Sequence, residues 1–453
     1  MAERVDVVVV GMGPGGEEVA GRLAEAGLDV VGIESTLVGG ECPYWGCVPS
    51  KMMIRASNLV AEARRVPGMS GSSTVVPDWS PVAQRIRDEA TDGWNDQVAV
   101  ERFEKKGGRF VRSQGRLAGP REVAVGDRRF EAARGIVLAT GSRSWTPPID
   151  GLADVPYWTN RDAIEVTELP RSLVVIGGGA IALELGQVFS RFGVEVTIVE
   201  VADRLLPAEE PEASALIDGV LRREGIDVRT GADVQRVSHD GTSFEVDLGN
   251  AGALRSERLL VAAGRRPDLT SLGVEAIGLD PSARLLPTDD HLRVAPGVWA
   301  VGDVTGIGAF THMAMYQARI AVADILGTDG PPADYRAIPR VTFTDPEIGS
   351  VGVSEAAARS QGINVRVGTT QIPSSTRGWI HKTGNDGFIK LVEDSDRGVL
   401  VGALSAGPVG GEVLGLLSLA IHAQVPTSTM RTMIYAYPTF HRAVESALAD
   451  LGS

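Results

Sequence analysis

The chain has two cysteines, and they stand close together as Cys42-Pro-Tyr-Trp-Gly-Cys47, just ahead of Pro49, Ser50 and Lys51. Four residues between two thiols at the start of a helical stretch allow a closed redox disulfide. A helix N-terminus and a nearby lysine both lower a thiol pKa below its free value of about 8.5. The competing readings are two buried thiols without redox work, or a zinc site. Zinc lacks its further ligands here, so no metal site is expected, and a lone cysteine pair in this position favours redox use.

Glycines mark the second kind of chemistry. Gly11-x-Gly13-x-x-Gly16 is a dinucleotide fingerprint: the first glycine permits a tight turn, and the second lets backbone approach a pyrophosphate. The third allows close packing of helix on strand. Glu34, 23 residues after Gly11, is placed to accept from a ribose hydroxyl pair. The pattern recurs as Gly177-x-Gly179-x-x-Ala182, with Glu200 again 23 residues after Gly177. A carboxylate at 200 welcomes a free 2′-hydroxyl and repels a 2′-phosphate, although Arg204 follows closely. NAD(H) is therefore favoured over NADP(H).

Each fingerprint lies between elements that must hold it. Residues 5–34 read as an apolar run (VDVVVV), a glycine turn, a helical pattern and a second apolar run ending in Glu34. Residues 173–200 repeat this order. Both are βαβ signatures of a buried parallel sheet. Each unit later reaches a strand closed by a glycine turn: IVLATG, with Ala139, Thr140 and Gly141, and LLVAAG, ending at Gly264. VWAVGD at 298–303 and a helical stretch over 311–325 follow, then a Pro/Asp-rich linker at 328–335. From Arg340 onward short alternating strands mix with apolar helices, as in an α+β domain.

The expected fold is α/β, with two Rossmann-like dinucleotide-binding domains and a C-terminal α+β domain. The expected bounds are 1–150 and 269–335 for the first dinucleotide domain, 151–268 for the second, and 336–453 for the last. A chain of 453 residues suits several domains, and 43% hydrophobic residues suit a sizeable core. A net charge of −14 without a basic cluster argues against nucleic acid and anionic membrane surfaces as partners. No apolar run approaches the roughly 20 residues of a membrane helix. Glu3, Arg4 and Asp6 lead straight into VVVV, unlike a cleavable signal, so a soluble cytoplasmic protein is expected.

GGECPYWGCVPSK at 39–51 resembles the redox-disulfide motif of the class I pyridine nucleotide–disulfide oxidoreductases. That family includes dihydrolipoamide dehydrogenase, glutathione and mycothione reductases and mercuric reductase. The resemblance runs through the ATG turn, the second fingerprint with Glu184, VGD at 301–303 and TFTDPEIGSVGVSE at 342–355. It reaches the Pro-Thr pair at 438–439. It implies FAD on the first domain, NAD(H) on the second, a small-molecule substrate and a homodimer built on the C-terminal domain. It also implies residue roles. Cys47 would be the thiol against the flavin, forming a thiolate–flavin charge-transfer pair, and Cys42 the interchange thiol that meets substrate. Lys51 would sit near flavin N5, paired with Glu184. Asp303, after Gly302, would hold the ribityl chain, and the backbone around His312 and Met313 would face the pyrimidine ring. Electrons would pass from nicotinamide through flavin to the Cys42–Cys47 disulfide and on to a disulfide or dithiol substrate, as in dihydrolipoamide dehydrogenase.

One motif departs. The family's His-Pro-Thr-x-x-Glu supplies a general acid–base and its orienting carboxylate. Here Tyr437 and Arg442 stand at those places. A phenol, with an ordinary pKa near 10, is a poor base at neutral pH but a capable donor. Three outcomes follow. His441 and Glu445 form a displaced dyad on the following helix; Tyr437 polarises a different substrate; or flavin passes electrons directly to an acceptor such as a quinone. The alternative function is thus reduction of a non-disulfide acceptor: a quinone, a metal ion or a carbon–sulfur bond. Tyr44 and Trp45 either shape a substrate pocket or pack the flavin domain. Trp379 and His381 are expected in a surface loop, and 413–423 as a core or interface helix.

Overall fold

The computed structural model describes residues 2–452, so Met1 and Ser453, at the outer ends of the expected first and last domains, lie outside it. Two compact units emerge. One comprises residues up to Pro49, Gln84–Trp145 and Gly264–Asp334; the other comprises Ser50–Ala83, Thr146–Ala263 and residues from Tyr335 onward.

In the first unit, Glu3–Val10 is the central strand, paired in parallel with Val30–Glu34 and Arg128–Leu138. Val7 and Val9 enter one apolar cluster, while Val8 and Val10 enter the other. A β-branched run buried on both faces suits an inner parallel strand. The helix Pro14–Glu25 starts with proline at its first turn, where no amide donor is required. Val10 stands level with Ile33 and with Leu138, so Gly11 and Ala139 leave the sheet at the height where Glu34 ends its strand. Gly11 N donates to Ile33 O at 2.8 Å, and Ala139 N to Val10 O at 2.8 Å.

The second unit repeats this device. Its parallel sheet runs in the order Asp227–Arg229, Glu195–Val199, Ser172–Ile176, Arg258–Val261. Ile176 stands level with Val199 and Val261, and Gly177 N donates to Val199 O at 2.8 Å. A separate antiparallel sheet is ordered Pro339–Thr342, Glu347–Gly352, Val399–Gly407, Phe388–Asp394, Val365–Gln371. The helices Gly410–His422 and Ala443–Asp450 share its apolar core, with Val413, Leu414, Leu417, Val444 and Leu448 buried. No helix among the described residues is long and apolar enough to cross a membrane.

Two local expectations change. Trp379 and His381 lie on a short helix, Thr376–His381, rather than in a loop. Ser375 Oγ accepts from Gly378 N at 3.1 Å and caps it, and Gly378 lies where a Cβ would stand 1.8 Å from Ile372 O. His441 lies in a turn ahead of the helix Ala443–Asp450, not on it.

Candidate functional site

The three glycines of the first fingerprint face three different surroundings. Gly11 has φ +92°, and a Cβ there would stand 2.4 Å from Ala139 O. At Gly16 a Cβ would stand 1.9 Å from Gly11 O. These two are required by chain packing on chain. A Cβ on Gly13 would meet nothing within 4 Å among the described residues. This open space lies at the amide-rich head of Pro14–Glu25, which fits the diphosphate of a dinucleotide. The second fingerprint has the same division: at Gly177 (φ +116°) a Cβ would stand 2.5 Å from Ala262 O, Gly179 faces open space, and Ala182 is buried.

The two acids are equivalent as well. Glu34, nearly buried, accepts from Met12 N at 2.9 Å and from Thr36 N at 2.7 Å. Glu200 accepts from Gly178 N at 2.5 Å and Ala202 N at 2.7 Å. Each carboxylate thus ties its glycine turn to the turn after the next strand, and Glu34 Oε1 also accepts from Thr36 Oγ1 at 2.9 Å. Glu34 lines a cleft with Gly11, Thr140, Gly141, Ser142 and Asp268, all in the first unit. Gly141 and Gly264, both with positive φ, would set a Cβ in open space.

Asp303 begins a 3₁₀ turn after Gly302 and accepts from Ser142 Oγ at 2.6 Å. Arg265 fixes that serine, donating to its Oγ at 2.9 Å and its carbonyl at 2.7 Å, and stands 3.7 Å from Glu41. Neither Ser142 nor Arg265 was anticipated, although each directly follows a recognised glycine turn. The His312 ring stacks on Phe310 with centroids 5.1 Å apart, and Met313 is buried.

Cys42 is half-buried in the single helical turn Glu41–Tyr44. Cys47, exposed, is the first residue of the helix Cys47–Arg65. Its Sγ lies 3.4 Å from the Thr311 hydroxyl, and Thr311 opens the 16-residue helix Thr311–Leu326. Two helix heads therefore meet at this sulfur, an arrangement that favours thiolate. Thr311 carried no sequence signal of its own. Tyr44 and Trp45 are buried with rings 5.8 Å apart, and burial pushes the Tyr44 phenol up.

In the second unit, Lys51 Nζ pairs with Glu184 Oε2 at 2.8 Å. Glu184 Oε1 accepts from Phe343 N at 2.8 Å, and the Phe343 ring lies 4.5 Å from Lys51 Nζ. Glu184 is buried. The lysine, half-buried, thus gives the buried Glu184 carboxylate an ion-pair partner.

The C-terminal segment is arranged differently from a His–Glu relay. Tyr437, 66% exposed and before a cis proline, lies under the Arg442 guanidinium at 5.3 Å. Arg442 pairs with Glu445 at 2.9 Å, whereas His441 Nε2 lies 3.4 Å from Thr439 Oγ1. Glu445 is thus engaged by Arg442 rather than joined to His441 in a dyad. Tyr435 is buried, donates to Met430 O at 3.1 Å, and is pushed up by burial. Among the described residues no group of three His, Cys, Asp or Glu is placed to hold a metal ion.

Two open glycine cradles, each with an acid at or just past the end of the next strand, define a protein shaped to hold two dinucleotides. Comparison with known proteins narrows the class. Residues 5–318 match the family described as pyridine nucleotide-disulphide oxidoreductase, and residues 338–448 match its dimerisation domain. The chain belongs to the pyridine nucleotide–disulphide oxidoreductase family. It is 35% identical to dihydrolipoyl dehydrogenase of Halobacterium salinarum, over 99% of this chain and 96% of that protein. It is 30% identical to mercuric reductase of Bacillus cereus, over 98% of this chain and 71% of that one. The solved structure of RclA from Escherichia coli, an HOCl-induced flavoprotein disulfide reductase, superposes with a TM-score of 0.85. That match has 26% identity and covers 98% of this chain and 99% of that one. The protein is accordingly an FAD-dependent pyridine nucleotide–disulfide oxidoreductase.

Proposed function

We propose that the protein carries two electrons from NADH to the Cys42–Cys47 disulfide and from there to a disulfide substrate. When bound, FAD supplies the relay between hydride donor and disulfide. The chain's own chemistry is thiol exchange. Cys42 thiolate attacks one substrate sulfur, the substrate S–S bond breaks, and the leaving sulfur takes a proton. Cys47 thiolate then attacks Cys42 Sγ, which re-forms the protein disulfide and releases the second substrate thiol. In sum, NADH, one proton and one disulfide give NAD⁺ and two thiols. The observation that carries this reading is the position of Cys47 Sγ: at the head of its own helix and 3.4 Å from the hydroxyl that opens another.

Gly11, Gly13, Gly16, Glu34 and Asp303 would hold FAD; Gly177, Gly179 and Glu200 would hold NADH. Preference for NADH is supported by the state of Arg204. Its guanidinium donates to Glu209 O at 2.9 Å, Ser214 Oγ at 2.7 Å and Pro207 O at 2.7 Å, so it is committed to its own loop. A 2′-phosphate would meet the Glu200 carboxylate without this counter-charge. The domain bounds expected from the sequence, a cytoplasmic location and a homodimer formed through the dimerisation domain complete the reading.

A second reading rests on the C-terminal segment. With a phenol at 437 and Glu445 tied to Arg442, the usual proton donor to a leaving thiol is missing. That favours an acceptor whose reduction releases no thiol: a quinone, which takes its two protons from solvent, or a metal ion. Among the relatives, one is named a mercuric reductase, and RclA has been solved as a Cu(II) complex. Steady-state NADH oxidation with lipoamide and with a quinone separates the two readings, run on the wild type and on Cys42→Ser. Lipoamide turnover that the variant loses supports the disulfide reading. Inert lipoamide, with quinone reduction that survives the substitution, sinks it.

A further inference from the structure

We infer that Gln187, Arg191 and Asp345 form a positioning device for the Glu184–Lys51 pair, and that it tunes the flavin through that pair; this rests on the proposed FAD relay and on the role beside flavin N5 that the family resemblance implies for Lys51.

Glu184, Gln187 and Arg191 share one face of the helix Ala180–Arg191, at i, i+3 and i+7. Each grips the segment Phe343–Asp345. Glu184 Oε1 takes Phe343 N at 2.8 Å. The Gln187 amide takes both backbone groups of Asp345, accepting from its N at 2.8 Å and donating to its O at 2.9 Å. Arg191 Nη2 donates to Asp345 Oδ2 at 2.8 Å, and Arg65 Nη2 meets the same oxygen at 2.6 Å. Only one register satisfies all of these. A slip by one residue would present Thr344, whose hydroxyl already donates to Pro346 O at 2.8 Å.

Arg191 also locks the two helices together. Its Nη1 donates to Asn58 Oδ1 at 2.6 Å, and Glu224 binds its Nε and Nη2 at 3.0 and 2.6 Å. Asn58 follows Lys51 by seven residues, as Arg191 follows Glu184 by seven. The helices are thus clamped at two rungs, one of which is the Lys51–Glu184 pair. Arg191 and Gln187 are each 3% exposed. Buried charge of this kind is a weak source of stability compared with apolar packing, but it fixes register well.

Electrostatics connects the ladder to chemistry. While Phe343 N holds Oε1, the Glu184 charge is shared between an amide and an ammonium. If the segment shifts, the whole carboxylate turns on Lys51 and cancels more of its field. A weaker cation beside the flavin stabilises its reduced form less.

The experiment is an anaerobic titration of the FAD-loaded protein against reference dyes, reading the flavin equilibrium, with thermal melting alongside. The proteins are wild type, Lys51→Met, Asp345→Asn and the double variant. Lys51→Met is expected to lower the flavin reduction constant about tenfold, near 30 mV for two electrons. Asp345→Asn is expected to lower it about threefold, and the double variant to match Lys51→Met alone, because the ladder acts only through the lysine. A wild-type flavin equilibrium in Asp345→Asn, or additive losses in the double variant, overturns the inference while Lys51 keeps its role. If Lys51→Met itself leaves the equilibrium unchanged, the Lys51 reading falls and the inference with it. Should Asp345→Asn fail to fold, Gln187→Met, which removes both backbone contacts to Asp345, is read in the same way.

Discussion

Replacing Gly13 and Gly16 in turn by alanine separates a cofactor cradle from a packing constraint within one motif. Gly13 has φ −68° and ψ −175°, an extended conformation that alanine adopts without strain, and its added methyl meets no described atom within 4 Å. The folded apo-protein should therefore keep its stability, or gain about 0.4–1 kcal/mol from a less flexible unfolded chain. The methyl enters the space assigned to the diphosphate. Pushing an anion off the helix head lengthens its charge-assisted hydrogen bonds, worth about 1.5–3 kcal/mol each. Losing one of them weakens FAD binding by roughly ten- to a hundredfold, and losing two by roughly a hundredfold to more than ten-thousandfold. Gly16→Ala is the opposite case: its Cβ would lie 1.9 Å from Gly11 O, so helix must part from strand. That overpacking should cost more than about 3 kcal/mol and depress the melt of the apo-protein itself. The assay is FAD titration of deflavinated protein by flavin fluorescence, with melting curves of the same samples. Wild-type FAD affinity in Gly13→Ala would refute the cradle, and a large loss of apo stability there would refute the open space.

Thr311→Val removes the hydroxyl 3.4 Å from Cys47 Sγ, so the pH midpoint for alkylation of Cys47 in the reduced protein should rise by about half a unit. Thr311→Ser should restore it, and an unmoved midpoint dismisses the contact. Burial pushes the Glu347 carboxyl up, against a 2.9 Å hydrogen bond from Gly411 N. A folded pKa above the unfolded one means a contribution present at low pH and lost as pH rises through the raised value. Glu347→Gln should then melt a few degrees above wild type at pH 7 and level with it near pH 4; an equal gap at both would exclude this cause. Without a general acid, an aromatic disulfide, whose thiols leave as anions, should turn over at least about tenfold faster than lipoamide. Equal rates would mean that a proton donor is present after all.

The sheets were legible because burial on both faces writes itself as unbroken β-branched runs, and the fingerprints because backbone-on-backbone contact admits only glycine. At Gly11 and Gly16 an added Cβ would stand 2.4 Å from Ala139 O and 1.9 Å from Gly11 O. What escaped were partners separated by long stretches of chain. Asp96 accepts from Val38 N at 2.6 Å, and Ser142 reaches Asp303 across 161 residues; no periodicity encodes such meetings. Short capped turns escaped too. Thr376–His381 is helical through one serine cap and one crowded glycine, a signal weaker than the polar composition that suggested a loop.

The C-terminal sequence reads as a departure from the His–Glu motif, yet it does not say what contacts these residues make. His441 and Glu445 have helical spacing, but the helix begins at Ala443, so the spacing does not align them. Arg442 intervenes. It holds Glu445 at 2.9 Å, covers the Tyr437 ring at 5.3 Å and donates to Tyr435 O at 3.3 Å. One arginine thus occupies the carboxylate that a displaced histidine would have needed and rests on the phenol that stands in the histidine's place. The residues at the two relay positions, Tyr437 and Arg442, thus lie against each other, with Glu445 on the arginine and His441 beside Thr439. If this segment supplies no general acid, a leaving thiol must take its proton from solvent or from the other thiols, and the comparison of an aromatic disulfide with lipoamide tests that.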